Sequence, residues 1–387
     1  MNEEQHNISV TVNGIKIVKS VSSRMLLTDF LRIAANQKSV RFGCEEGACG
    51  ACTIEINGKT IKSCLALAIS ANGKVITTVE NHCNDKVLEK VQEAFVSSHA
   101  LQCGYCTSGM IMSATALIKS ANGKPLTEDA IKNGIAGNIC RCTGYTNVVH
   151  AIKVANSQAI PLGRTELELG ETDNWIGQPL QRREDKRLTS GRGRYVDNYQ
   201  ETGDLYAAVT RSNQAHAKII NIDKSAAEAM PGVHRVICGE EAKNYWKPLA
   251  PTMELLDLKL PKRYALATEK TVFYGEPLAL IIADNPYIAE DAARSVNVTY
   301  EPLPVNTSPH QSGCITANND ALLYPEWGTN VQVVLDFEHG NIEEKFASAD
   351  LIVDEEISSH RYSAMPMETR SARASYDPDE ESIVVRA

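Results

Sequence analysis

The chain has 387 residues, with 39 Lys and Arg against 48 Asp and Glu, so it carries a formal charge of −9. That length gives room for roughly two to three domains, each able to bury a core. An acidic balance without a long single-sign run argues against a nucleic-acid partner, which needs a basic face. The longest apolar stretch, residues 278–283, is far short of a membrane span. The opening decapeptide MNEEQHNISV has neither a basic n-region nor an apolar h-region. The expectation is therefore a cytoplasmic protein with no membrane segment, in which eleven cysteines read as metal ligands rather than disulfides.

In chain order, residues 8–12 and 15–18 flank Asn13-Gly14, the strongest two-residue hairpin signal, and residues 53–56 and 60–62 flank Asn57-Gly58 in the same way. Between the hairpins Leu27, Phe30, Leu31 and Ala34 recur at helical spacing and predict one buried helical face. Two hairpins and a crossing helix make a β-grasp domain, residues 1–80.

Within it lies GCEEGACGACT, residues 43–53, which sets Cys44, Cys49 and Cys52 at C-x4-C-x2-C spacing, followed by Cys64. This is how plant-type ferredoxins wrap a [2Fe-2S] cluster, whereas zinc prefers C-x2-C knuckles. The glycines let the backbone turn N–H groups toward sulfur. One departure is that only eleven residues separate Cys52 from Cys64, fewer than in soluble plant ferredoxins.

From about residue 85 the period becomes helical. Val87, Leu88, Val91, Ala94 and Phe95 form one stripe, and Met110, Ile111, Ala114, Leu117 and Ile118 form another. The sequence NGKP at 122–125 breaks the second helix, Thr127 is set to cap a third, and residues 148–154 suggest a fourth. This four-helix segment, residues 81–158, holds a second thiol set: Cys103, Cys106, Cys140 and Cys142. The first pair precedes the Met110 helix, whose N-terminal dipole favours thiolates. Taken alone, Cys103-x2-Cys106 could be a redox dithiol, but no βαβ pattern surrounds it and a second pair follows.

Residues 159–175, with Gly163, Gly170 and four acidic side chains, read as a linker. Beyond it, β-type runs at 205–210, 234–237 and 295–300 alternate with helical runs at 224–229 and 289–294. A closing hairpin is expected from residues 374–376, Asp377-Pro378-Asp379 and residues 383–385, its second strand an uncapped apolar edge. The fold class is α+β throughout.

The order of GCEEGACGACT, then QCGYCTSGM at 102–110 and CRCTGY at 140–145, resembles the xanthine dehydrogenase and aldehyde oxidoreductase family of molybdenum hydroxylases. So do IGQP at 176–179, GRGRYVD at 191–197, YGEP at 274–277, YEPLP at 300–304 and PMETR at 366–370. The resemblance implies that residues 176–387 are the amino-terminal, a/b hammerhead-like part of a molybdopterin-binding domain. It implies that Cys103, Cys106, Cys140 and Cys142 hold the [2Fe-2S] cluster nearer the molybdenum, and that Cys44, Cys49, Cys52 and Cys64 hold the outer one. By the same resemblance Gln102 matches the position that hydrogen-bonds the pterin, a task suited to an amide with donors and an acceptor.

The implied chemistry is hydroxylation of an aldehyde or an N-heteroaromatic, purine-like substrate. Oxygen comes from water, and electrons pass through both clusters to an acceptor. No catalytic residue is assigned, because in the family the catalytic glutamate and further pterin contacts lie past the PMETR-like segment. The expectation is that a continuation or a partner subunit completes the molybdopterin site. No G-x-G-x-x-G fingerprint follows a strand, so FAD, if used, sits on a separate subunit, or an external acceptor takes the electrons. Two other readings stay open: a non-catalytic [2Fe-2S] electron-transfer subunit, and a zinc-stabilised interaction protein. His216, Glu276 and Glu368 read as structural, Cys238 as buried in a strand, and Cys83 and Cys314 as unassigned.

Overall fold

The computed structural model describes residues 4–162, 176–250, 257–307, 321–360 and 362–387. The linker at 159–175 lies largely outside them, as does Cys314.

Strands Gln5–Val12 (β1) and Ile15–Ser22 (β2) pair antiparallel, with Val12 opposite Ile15. Asn13 and Gly14 between them take φ of 49° and 83°, as a tight primed turn requires. Thr53–Ile56 (β3) and Lys59–Lys62 (β4) repeat the device across Asn57-Gly58. Val75–Thr77 (β5) runs parallel to β1 and antiparallel to β3, closing a sheet of order β2-β1-β5-β3-β4. Ile8, Val10 and Val12 alternate onto the buried face of β1 and pack with Leu27, Phe30 and Leu31.

The predicted helical face holds for Leu27, Phe30 and Leu31 but not for Ala34. Leu27–Asp29 (α1) passes into a π turn, Phe30–Ala34, closed by the Ala35 N–H on the Phe30 carbonyl at 3.0 Å. The wider turn shifts the face by one residue, so Ala35 is buried and Ala34 only half-buried.

The second domain is built on Lys86–Ser97 (α2), Thr107–Ala121 (α3), Glu128–Ile135 (α4) and Thr146–Ala155 (α5). Their apolar stripes meet in one core that includes Leu88, Val91, Phe95, Met110, Ile111, Ile131, Ile135, Val148 and Ile152. Thr127 caps α4 as expected, its side chain accepting from the Ala130 N–H. Asp85 caps α2 by accepting from the Val87 and Leu88 N–H groups. Asn122 ends α3 at φ 50°.

The chain divides into two compact units, residues 1–199 with 359–387, and residues 200–358. Residues 176–199, with the short helix Asp185–Thr189 (α6), thus belong with the cysteine-bearing domains.

The other unit contains two antiparallel three-stranded sheets. Tyr206–Arg211 (β6), Val233–Cys238 (β8) and Pro277–Ala283 (β10) form one, with β10 central; Ala217–Asp223 (β7), Lys270–Thr271 (β9) and Asn297–Pro302 (β11) form the other, with β7 central. The helices Ser225–Glu228 (α7) and Pro286–Ser295 (α8) contribute Ala227 and Ala292 to a core with Val236, Ala279 and Ile281. Helix α8 runs through Ser295, so the strand expected from residue 295 starts at Asn297.

Arg373–Asp377 (β12) and Ser382–Arg386 (β13) form the expected closing hairpin, and Ile383 and Val385 on β13 are exposed. The α+β expectation therefore holds across the described residues. Among them no helix is long and apolar enough to cross a membrane.

Candidate metal centres

The eight paired cysteines fall into two groups of four, and each group divides again. In the first, the Cys49 N–H donates to Cys44 Sγ at 3.2 Å, while Cys52 and Cys64 bring their sulfurs to 3.3 Å. In the second, Cys103 and Cys142 sulfurs lie 3.6 Å apart and Cys106 is hydrogen-bonded to Cys140. All eight are free thiols. No three His, Cys, Asp or Glu side chains among the described residues converge as a single metal ion would need. Each set therefore offers its sulfurs as two pairs. They suit a binuclear centre with each metal taking one pair, and that donor chemistry fits [2Fe-2S] clusters.

Local backbone shapes the first group. Burial works against ionising Cys44, but the N–H groups of Cys49, Glu46 and Ala48 outweigh it and lower the thiol. The Gly47 N–H likewise faces Cys64. Gly50 takes φ 76°, and a Cβ there would collide with the Gly137 carbonyl, so the loop lies against the helical domain. Burial pushes the Cys49 thiol up to about 11 and that of Cys64 up to about 12.

The second group sits at the N-terminus of α3, with Cys106 as its cap residue. Its hydrogen bond to Cys140, together with burial, pushes the Cys106 thiol up; holding the other end of that bond lowers Cys140 to about 5. Thr143 donates its hydroxyl to Cys140 Sγ at 3.2 Å. Metal binding at this pair requires both sulfurs as thiolates. Exposure is unequal: Cys106 is buried, whereas Cys103 is exposed and Cys142 half-buried. Gln102 stands beside the exposed pair, donating from Nε2 to the Cys142 carbonyl at 3.0 Å, while Arg182 holds the Gln102 carbonyl at 2.8 Å. Among the described residues the Gln102 side chain makes no other hydrogen bond than the one to the Cys142 carbonyl.

The two loops are stitched together. The Ile139 N–H donates to the Cys49 carbonyl at 2.8 Å, Asn138 to the Gly50 carbonyl at 3.0 Å, and the Tyr105 hydroxyl to the Phe42 carbonyl at 2.6 Å. Tyr195, from the GRGRYVD motif, donates to the Cys103 carbonyl at 2.8 Å. Met367 packs with Cys49, Tyr105 and Tyr195, and the Glu368 carboxylate accepts from the Val196 N–H at 3.4 Å.

Sequence spacing did not disclose Arg41, which donates to the Gly104 and Tyr105 carbonyls at 2.6 and 2.8 Å. Its place three residues before Cys44 was the only signal, and spacing does not say where a side chain reaches.

Residues set aside as structural have structural partners. The Glu276 carboxylate accepts from the Val272 N–H at 2.6 Å beside Arg263, and His216 Nδ1 meets the Pro304 carbonyl at 2.8 Å. Cys238, expected to be buried, is half-buried, because β8 is an edge strand of its sheet.

Four family models match the chain: a 2Fe-2S iron-sulfur cluster binding domain at residues 10–84, a [2Fe-2S] binding domain at 78–153, the aldehyde oxidase and xanthine dehydrogenase a/b hammerhead domain at 190–304, and a molybdopterin cofactor-binding domain at 323–387. An aldehyde oxidoreductase of Megalodesulfovibrio gigas is 33% identical over 379 residues, which is 93% of this chain and 40% of the relative. The gamma subunit of a caffeine dehydrogenase from Pseudomonas sp. strain CBB1 is 46% identical over 149 residues, 38% of this chain and 89% of that subunit. The solved aldehyde oxidoreductase from Desulfovibrio gigas superimposes with a TM-score of 0.80 at 28% identity, over 98% of this chain and 42% of the other. The chain thus spans about two-fifths of the length of these aldehyde oxidoreductases.

Proposed function

This chain belongs to the xanthine dehydrogenase and aldehyde oxidoreductase family of molybdenum hydroxylases, and we propose that it is the electron-conducting, partly cofactor-binding portion of such an enzyme. It carries two [2Fe-2S] domains and part of a molybdopterin-binding domain. In this reading Cys44 and Cys49 hold one iron of the outer cluster and Cys52 and Cys64 the other. Cys103 with Cys142 and Cys106 with Cys140 do the same for the inner cluster. When bound, the molybdenum cofactor supplies the two-electron oxidation of an aldehyde or N-heteroaromatic substrate with oxygen from water, and the clusters supply one-electron relay to an acceptor.

The chain's own residues do three things here. Backbone N–H groups around Cys44 and Cys64 favour the ionised sulfurs. The Ile139–Cys49 and Asn138–Gly50 hydrogen bonds hold the two sites in one register. Gln102, at the exposed rim of the inner set, presents an amide to the pterin. A continuation or partner chain completes the molybdopterin site, and flavin, where used, is on a separate subunit. A cytoplasmic setting belongs to the same proposal, in keeping with free thiols.

The observation that carries this reading is the division of each cysteine set into two sulfur pairs. The test is the iron and molybdenum content of the natively purified assembly containing this chain. About four iron per chain with molybdenum is the expected result. The same iron without molybdenum would leave an electron-transfer module, and zinc in place of iron would overturn the proposal.

A further inference from the structure

Two arginines are among the largest fully buried side chains, and their surroundings differ in one respect. Arg32 has its counter-ion. Its Nη2 lies 3.1 Å from the Asp197 carboxylate and donates to the Asp197 carbonyl at 2.7 Å, and Nη1 donates to the Val40 carbonyl at 2.8 Å. Arg41 is 0% exposed and has no carboxylate partner among the described residues. Nη1 makes the two bonds to Gly104 and Tyr105, while Nε and Nη2 are buried with no partner. The guanidinium stands 4.3 Å from the centroid of the Tyr195 ring and 5.5 Å from that of Tyr105. Ring faces attract a cation but do not neutralise it. Two acids stand near these rings: the Asp197 carboxylate, 3.5 Å from the Tyr105 hydroxyl, is already paired with Arg32, and the Glu368 carboxylate accepts from the Val196 N–H.

A full positive charge in the interior with three unpaired N–H donors, one on Nε and two on Nη2, is costly unless an anion faces it. The carbonyls that Arg41 holds are those of the two residues between Cys103 and Cys106. We infer that the missing counter-charge of Arg41 is the inner iron–sulfur cluster, and that this guanidinium raises the cluster's reduction potential by stabilising its reduced form. Reduction adds one electron and no proton to an already anionic centre, so a fixed buried cation favours the reduced state over the oxidised one. Arg41 does not ligate iron; it acts by charge from a position fixed by the loop carbonyls and Tyr195. The inference rests on the ligand assignment proposed above.

The experiment is a redox titration of the full chain, followed by electron paramagnetic resonance, in the parent, Arg41→Met and Arg41→Lys. Cys106→Ser identifies the inner signal. Arg41→Met is expected to lower the reduced-to-oxidised ratio of the inner cluster about tenfold at fixed potential, equivalent to about 59 mV for one electron. The outer cluster should move less, and Arg41→Lys should restore most of the shift. Potentials unchanged in Arg41→Met, an equal fall for both clusters, or Arg41→Lys falling as far as Arg41→Met would each overturn the inference. If Arg41→Met fails to hold the inner cluster, retention of that cluster at near-parental potential in Arg41→Lys supports a need for charge; its loss there too shows a need for shape alone and sinks the idea. A parent chain without two cluster signals would defeat the ligand assignment itself, whatever Arg41 does.

Discussion

The two cysteine sets achieve the same fourfold thiol grouping by opposite means. The first depends on a loop, residues 43–53, whose positive-φ positions at Glu45, Gly47 and Gly50 wrap backbone around sulfur, and three of its four thiols are buried. The second depends on helix ends: Cys106 caps α3, and the 140–142 turn is clamped by Thr143 and by the Tyr145 hydroxyl on the Cys140 N–H at 2.9 Å. The loop leaves only Cys44 half-buried, whereas the helix end leaves Cys103 exposed and Cys140 and Cys142 half-buried. The enclosed set suits insulation and the open one suits contact with a second cofactor.

The severest test of that contrast is Cys106→Ser, which should drop iron from about four to about two per chain and abolish only the inner signal. Loss of the outer signal with the inner retained would mean that the pairing is wrong. Next is Gly50→Ala, where a positive φ and a collision with the Gly137 carbonyl combine. It should destabilise the fold by at least about 2 kcal/mol and release outer iron first, as denaturation followed by visible absorbance would record. Gln102→Ala should leave both cluster signals intact and weaken pterin retention by about 1 kcal/mol, read as cofactor content after dialysis of the complete enzyme; unchanged retention would remove Gln102 from the site.

A similar but purely structural effect is expected at Asp85, which caps α2 and lies 2.7 Å from Lys119, itself 3.3 Å from Glu55 on β3. Asp85→Ala should cost about 1 kcal/mol of stability at neutral pH. Burial alone would raise the Asp85 carboxyl, but Lys119 and the Leu88 and Val87 N–H groups bring it below its ordinary 3.8. Its contribution is therefore present above 3.8 and fades as pH falls, so parent and variant should converge in acid. The smallest effect belongs to Glu128, exposed between Lys132 and Lys153, whose hydrogen bonds lower it to about 2. Glu128→Gln should give a slight melting-temperature decrease at pH 7 that vanishes as pH drops from 4.5 toward 2, with no change at either cluster. A clear effect on the inner cluster would tie that surface to the metal site.

What the sequence revealed was whatever is written locally. Asn13-Gly14 and Asn57-Gly58 each specify a turn within four residues, Thr127 a helix start, and the C-x4-C-x2-C run a loop that the backbone can wrap around a metal. What it concealed depends on contacts between distant segments. Which sulfur stands beside which, as with Cys103 and Cys142, is decided by how the 140–142 turn packs on α3. The π turn at Phe30–Ala34 has no residue signature of its own, since the helical spacing of Leu27, Phe30 and Leu31 fits either winding. Nothing local in the sequence marks Arg32 or Arg41 for burial, because burying them requires Asp197 and the Cys103–Cys106 loop, far along the chain. The place of residues 176–199 beside the cysteines was equally hidden, since a short helix and irregular backbone announce no partner.

On the proposed assignment, the unequal exposure of the two thiol sets predicts an order of maturation. Cys49, Cys52 and Cys64 are closed over by their own loop and by Ile139 and Asn138, so iron and sulfide must arrive before that closure is complete. The inner set keeps Cys103 open at its rim and can be loaded after the helices have folded. The expected order is the closed site first, and following the two cluster signals during reconstitution with iron and sulfide would check it.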